Sequence, residues 1–232
     1  MSLEKVIDCL KRHKSFLITS HANPEGDALG SELAFYNLLK KLSKRAVIVN
    51  EDKLPYGYDF LPKKNIIKKF RKNMQRIEFD CFVVLDCSDL SRSGEVYKIN
   101  LGQKPILNID HHISNQMFGD VNWLEPNSSS CCEMIYKLYK KLRISIDKDT
   151  AISLYTGILT DTGSFRYTNT TGFTHRAVAE LLRHSLDIIE IYKNIYENIP
   201  FLDMKLLSKV LPRMRQGAGG KIIWFQIKRS ML

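Results

Sequence analysis

The stretch "SFLITSHANPEGDALGS" (residues 15–31) joins two signals that together set the fold class. The run "FLITS" (16–20) is apolar and β-branched, as a buried strand requires, and residues 28–43 continue with the spacing of a helix. Between the two, His21, Glu25 and Asp27 crowd onto a Gly-punctuated turn where like charges repel. A strand, a turn loaded with acids and an imidazole, and a helix make the opening half of a βαβ unit. In open α/β sheets ligands gather where parallel strands end at their carboxyl edge. Carboxylates clustered there without compensation raise one another's pKa values, so a divalent cation is the natural occupant.

Working outward, the same alternation recurs. Strands are expected at "AVIVN" (46–50), "FDCFVVLDC" (79–87) and "PILNID" (105–110), with a weaker one at "FGDVNW" (118–123). Helices are expected at 28–43, in a basic segment around 63–73 and in a short segment near 91–98. "SSSCCEMIYKLYKKL" opens with serines suited to capping and repeats Met134, Ile135, Leu138 and Leu142 at helical spacing. "DKDTAISLYTGILTDTGS" and "FTHRAVAELLRHS" continue in helical fashion. The expected fold is α/β, a mostly parallel sheet flanked by helices. A composition shift at "NIPFLD" (198–203) introduces an amphipathic stretch, "MKLLSKVLPRMR", then "GAGG" and one further strand, "KIIWFQI".

Composition narrows the classes. With 232 residues, 44% hydrophobic and 26% charged, the chain can bury a core and is neither disordered nor fibrous. No apolar run reaches the roughly 18 residues of a membrane span, and "MSLEKVIDCLKRHK" lacks the continuous apolar stretch of a secretory signal, so a cytoplasmic location is expected. Cys9, Cys81, Cys87, Cys131 and Cys132 show no CxxC spacing and read as reduced packing thiols, with His13, His175 and His184 as surface or packing histidines. The formal charge of +10 favours polyanionic partners, although a run such as "LPKKNIIKKFRKNMQR" also serves as a solvated coat. The first strand leads into "HANPEGDALG" and not into a GxGxxG turn, which argues against a dinucleotide-dependent oxidoreductase.

Four separate segments deliver acids or imidazoles to one expected edge. His21, Glu25 and Asp27 follow the first strand, Asp86 and Asp89 close "VVLDCSD", Asp110, His111 and His112 close "NIDHH", and Asp161 ends "GILTD". Mixed imidazole and carboxylate ligands suit Mn²⁺, Zn²⁺ or Fe²⁺ better than Ca²⁺. A bridging acid can hold two ions roughly 3.5–4 Å apart, the spacing that activates water against phosphorus.

"HANPEGDALGS", "VVLDCSD", "NIDHH" and "GILTDTGSFRYTNTT" resemble, in order, the four motifs of the DHH phosphoesterase family. That family includes manganese-dependent pyrophosphatases, single-strand exonucleases, and an oligoribonuclease and phosphoadenosine-phosphate phosphatase branch, whose wording these motifs most resemble. The resemblance implies two Mn²⁺ ions, the first held by His21, Glu25 and Asp86 and the second by Asp27, Asp86, His111 and Asp161, with Asp86 bridging. It places His112 beside the substrate phosphate and makes Asp110 the acid that orients an imidazole. Short RNA or 3′-phosphoadenosine 5′-phosphate is the implied substrate, hydrolysed by water without a nucleophilic side chain. Arg166 is a candidate for phosphoryl charge, and Ser129 and Ser130 are candidates for phosphate contact at a helix N-terminus or for capping alone.

Two departures from the pattern stand out. Glu25 occupies a position where the family usually has aspartate. The family also carries a second domain with a GGGH-type motif, and "GAGGK" (217–221) lacks its histidine and reads as a turn. The expected division is a catalytic domain over 1–197 and, over 198–232, a linker helix with the first strand of a DHHA1-like substrate domain. Alternatives are a nucleotide- or RNA-binding module without catalysis, and a homodimer that assembles its groove from two chains.

Overall fold

The computed structural model describes residues 3–231, and among them the first apolar run forms β1 (Ser15–Thr19), every residue of it buried. α1 (Leu3–Arg12) precedes it; α2 (Gly26–Lys41) and β2 (Arg45–Asn50) follow. Then come β3 (Ile67–Lys69), β4 (Cys81–Leu85), β5 (Ile106–Asp110) and β6 (Val121–Leu124). Among the described residues these six strands form one sheet in the order β3-β2-β1-β4-β5-β6, every pairing parallel. The expected α/β architecture is thus present, with the strand order reversing direction beside β1. That is where open sheets of this kind hold their ligands.

Side-chain alternation divides the core between two faces of the sheet. Leu17, Val49, Phe82 and Val84 pack on one side with Cys87, Val96 and Ile99, and each large side chain so buried contributes about 1.5–3 kcal/mol. Phe16, Ile18, Ile48 and Val83, equally buried, alternate with them. α3 (Cys131–Leu142) and α4 (Lys148–Asp161) pack with α2 in a mutually contacting group, α5 (Gly172–Leu182) packs on α4, and α1 packs on β6. α2 is buried along almost its whole length, including Glu32, which explains why its sequence is only weakly amphipathic.

The close approach of α2 to α4 rests on glycine. A Cβ at Gly157 would collide with the Cys132 sulfur and lie 2.6 Å from Asp27 Oδ1, and one at Gly30 would collide with the Ser153 carbonyl. Gly157→Ala is therefore expected to cost about 1–3 kcal/mol through overpacking and to displace Asp27. Thermal unfolding, read alongside divalent-metal affinity, checks both effects together.

Three sequence expectations are corrected. The basic segment 63–73 is not a helix: 3-10 turns at Lys64–Ile66 and Lys72–Arg76 flank the short edge strand β3. Phe70, Met74 and Ile77 recur at spacings compatible with a helix, but they pack down onto the sheet-face cluster while the lysines of β3 stay exposed. The segment near 91–98 is a pair of 3-10 turns broken at Gly94, whose φ of 65° ends regular winding. The "FDCFVVLDC" strand is shorter than its apolar run, because Asp80 turns back to accept the Lys14 and Ser15 amides at 2.9 Å.

The chain divides into two compact units, Met1–Ile188 and Ile189–Leu232. α6 (Ile188–Tyr192) spans that division. In the second unit, α7 (Phe201–Val210) precedes an antiparallel hairpin of β7 (Arg215–Gly217) and β8 (Ile222–Trp224). The "GAGG" segment makes the turn, with Gly219 and Gly220 at φ of 64° and 89°. Among the described residues no helix is long and apolar enough to cross a membrane.

Candidate metal centre

Register brings the site together before any side chain is considered. β1, β4 and β5 are neighbours, and their pairing sets Thr19 beside Val84 and Leu85 beside Ile109. Residues 20–21, 86 and 110–112 therefore leave the sheet at one edge. α2 returns Asp27 to that edge in its first turn, and Asp161 arrives as the last residue of α4.

His111 Nε2 is the centre of the cluster. It lies 3.6 Å from Asp86 Oδ1, 3.4 Å from Asp161 Oδ2 and 3.9 Å from Asp27 Oδ2. Asp86 faces three imidazoles, with Oδ1 also 3.7 Å from His112 Nδ1 and Oδ2 3.6 Å from His21 Nε2. These are distances at which opposed groups attract without making direct hydrogen bonds. Two overlapping triads result, Asp86 with His111 and His112, and Asp27 with His111 and Asp161, each with donor atoms close enough to share one ion.

Asp27 and the ring of His112 are held from behind. Asp27, 3% exposed, accepts the amides of Cys131 and Cys132 at 2.6 and 2.8 Å, so the N-terminus of α3 clamps its carboxylate. Asp110 is fully buried: Oδ1 meets His112 Nδ1 at 2.7 Å, and Oδ2 accepts from Asn115 Nδ2 at 2.6 Å. Asn115 also donates to Asn108 Oδ1, and Asn108 donates to the carbonyls of Val84 and Cys87. Asp86 itself sits at φ 52°, in the left-handed region that costs a non-glycine residue energy and that aspartate tolerates better than most. Sequence reasoning missed Asn108 and Asn115, although an asparagine inside the apolar run "PILNID" was the available signal.

The electrostatics are unresolved without a cation. Burial, then the neighbouring charges of Asp86 and Asp161, push Asp27 up to about 8. Asp161 is pushed up to about 6, again chiefly by burial and then by Asp86. Burial works against a charged His111, but the adjacent Asp86 and the charges of Asp27 and Asp161 outweigh it and lift it to about 10. Asp86, which burial alone would raise, is held well below the ordinary carboxylate range by His111 and His21. Asp86 Oδ1 and His111 Nε2 are both buried with no hydrogen-bond partner. Buried polar atoms are rarely left unpaired, and two such atoms of complementary ligand type facing one another fit a divalent ion.

The remaining candidates lie at different distances from this centre. Glu25 caps α2 through its backbone and is exposed, with no side-chain capping bond; its charge reaches Asp161. Ser130 accepts the Glu133 amide at 3.0 Å as the N-cap of α3, and Ser129 donates to Glu133 Oε2 at 2.7 Å. Both serines are fully buried, so their hydroxyls serve α3 and do not open onto the sheet edge. Arg166 is exposed, its Nε donating to the Gly163 carbonyl, and it follows a left-handed run at Gly163, Ser164 and Phe165. Asn169 ties that loop to the site by donating to the Asp161 and Ser129 carbonyls.

A family model described as "DHH family, N-terminal domain" matches residues 15–158. Over 207 residues the chain is 31% identical to the bifunctional oligoribonuclease and PAP phosphatase NrnA of Thermus thermophilus, covering 89% of this chain and 61% of that protein. It is 26% identical over 200 residues to the protein of the same name from Bacillus subtilis, covering 83% and 60%. The chain thus spans about 60% of the length of these curated relatives. The crystal structure of an exopolyphosphatase-related protein from Bacteroides fragilis has the same fold, with a TM-score of 0.90 at 24% identity over 99% of this chain and 70% of that one. The matched span contains β1, β4 and β5 together with the turns that carry His21, Asp27, Asp86 and His111, and on that match the chain belongs to the DHH family.

Proposed function

We propose that this chain is the catalytic part of a metal-dependent phosphoesterase acting on short oligoribonucleotides, on 3′-phosphoadenosine 5′-phosphate, or on both. The observation that carries the reading is the unpaired, buried face-to-face arrangement of Asp86 Oδ1 and His111 Nε2 amid two further carboxylates and two further imidazoles. The names of the NrnA relatives support the substrate class. In this reading His21, Glu25, Asp27, Asp86, His111 and Asp161 would hold two Mn²⁺ ions, Asp86 contributing to both. Bound divalent ions supply a water of lowered pKa and neutralise phosphoryl oxygens.

The side chains then divide the labour. Asp110 fixes the ring of His112 through Nδ1, so the other ring nitrogen is free to meet a phosphoryl oxygen at the open edge. The Asp110 hydrogen bond, only partly opposed by burial, raises the His112 pKa and favours the protonated ring, which donates to developing negative charge. Asn115 keeps Asp110 from rotating. Arg166, exposed on the loop that Asn169 ties to Asp161, is a cation available to the substrate.

The test is phosphate release from 3′-phosphoadenosine 5′-phosphate and mononucleotide release from short oligoribonucleotides, each with added Mn²⁺ and with chelator. Turnover of at least one substrate that chelation abolishes is expected. Tight binding of both substrates without turnover would replace the enzyme with a binding module. Glu25→Ala bears on the ligand set separately: a fall in Mn²⁺ affinity of about tenfold or more is expected from losing one carboxylate, and unchanged metal content with unchanged hydrolysis removes Glu25 from it.

A further inference from the structure

Away from this centre, α1 and the start of β4 bring three metal-binding side chains to one point. Cys9 and His13 stand four residues apart at the C-terminal end of α1, where the His13 amide still donates to the Cys9 carbonyl at 3.2 Å. That spacing puts both side chains on one face of the turn. Cys81, the first residue of β4, meets them there: the two sulfurs are 3.7 Å apart, and Cys9, His13 and Cys81 each offer a ligand atom within 4.8 Å of the others.

The separation discriminates between chemistries. It is far longer than the roughly 2.05 Å of a disulfide. It is close to the distance between two thiolates on one tetrahedral ion, about 3.8 Å for Zn–S bonds of about 2.3 Å. The surroundings suit a cation as well. Asp80 Oδ1 lies 3.9 Å from His13 Nδ1, too far for a hydrogen bond but close enough to set negative charge beside the cluster, and the Asp80 carboxylate is itself fixed by the Lys14 and Ser15 amides. The negative end of α1 points to the same place. A surface cavity lined in part by Asp8 and Asp120, and by Lys5 and Arg12, reaches Cys9 and His13.

We propose that Cys9, His13 and Cys81 form a second, thiophilic metal site that takes Zn²⁺ and clips α1 to β4. Binding transfers the two thiol protons to solvent and changes no oxidation state.

Cobalt substitution in the reduced, full chain tests the site, because thiolate-to-cobalt charge transfer is absent from a centre built of imidazoles and carboxylates. The wild type is expected to develop that absorption, Cys9→Ser to show about half its intensity at saturation with at least about tenfold weaker Co²⁺ binding, and His13→Ala to keep the intensity with a similar loss of affinity. Cys81 is fully buried in a central strand, so these two variants are used in its place. A wild type that stays folded and shows no such absorption, or variants that both titrate like the wild type, would overturn the proposal. Hydrolysis is expected to survive in both variants, which separates this site from the one at Asp86.

Discussion

Asp86→Asn is expected to lower kcat/KM by at least about 1,000-fold, about 4 kcal/mol of transition-state stabilisation, while leaving the fold in place. Asp86 is 4% exposed and has its two carboxylate oxygens turned to different imidazoles, Oδ2 to His21 and Oδ1 to His111 and His112. An amide of the same shape keeps at most one good ligand oxygen and sets an N–H pair where the other must lie. The backbone gains nothing by relaxing, because asparagine accepts a φ of 52° at least as readily as aspartate, and the Asp86 amide still donates to the Ile109 carbonyl at 3.0 Å. Steady-state kinetics with Mn²⁺, metal stoichiometry and circular dichroism together check the claim. A folded variant with full metal content and near-normal turnover would remove Asp86 from the bridging position.

The residues that made this site legible in the sequence are those whose chemistry conflicts with their neighbourhood. Strands β1, β4 and β5 announce themselves because a parallel sheet covered on both faces tolerates only apolar runs, and the acids at their ends then stand out against that background. Segment 63–73 reads as a helix for a related reason: an edge strand three residues long leaves no run to see among its lysines. The support behind the site was illegible because it is made of backbone. Asp27 is held by the amides of Cys131 and Cys132 from more than a hundred residues away, and no pattern in "SSSCCEM" distinguishes an amide pair clamping an acid from an ordinary helix start. Cys9, His13 and Cys81 illustrate the same limit, since the sequence separates by 72 residues two sulfurs that the fold sets side by side.

Mn²⁺ affinity is expected to rise at least about a hundredfold between pH 6 and pH 8, because the ion must displace protons that the metal-free centre retains. Asp161, raised to about 6, gives up its proton near the lower limit of that window; Asp27, raised to about 8, near the upper one. His111, lifted to about 10, keeps its proton throughout and releases it only on ligation. Each proton displaced makes affinity climb about tenfold per pH unit, and the three groups together hold roughly two protons across the window, which predicts the stated rise or more. The corresponding stability signs differ between residues. His111 has a raised pKa, so its contribution to the metal-free fold is complete below about 6.5, its unfolded value, and is lost as pH rises through about 10. Asp27 and Asp161 are raised acids, so their penalty is absent below about 3.9, grows as pH rises above it, and is complete above about 6 for Asp161 and above about 8 for Asp27. Thermal unfolding with chelator should therefore fall away from unfolding with Mn²⁺ as pH rises across that window. Calorimetric titrations in buffers of different ionisation enthalpy count the protons directly. A pH-independent affinity, with no proton released, would show that these side chains are not the ones the ion meets.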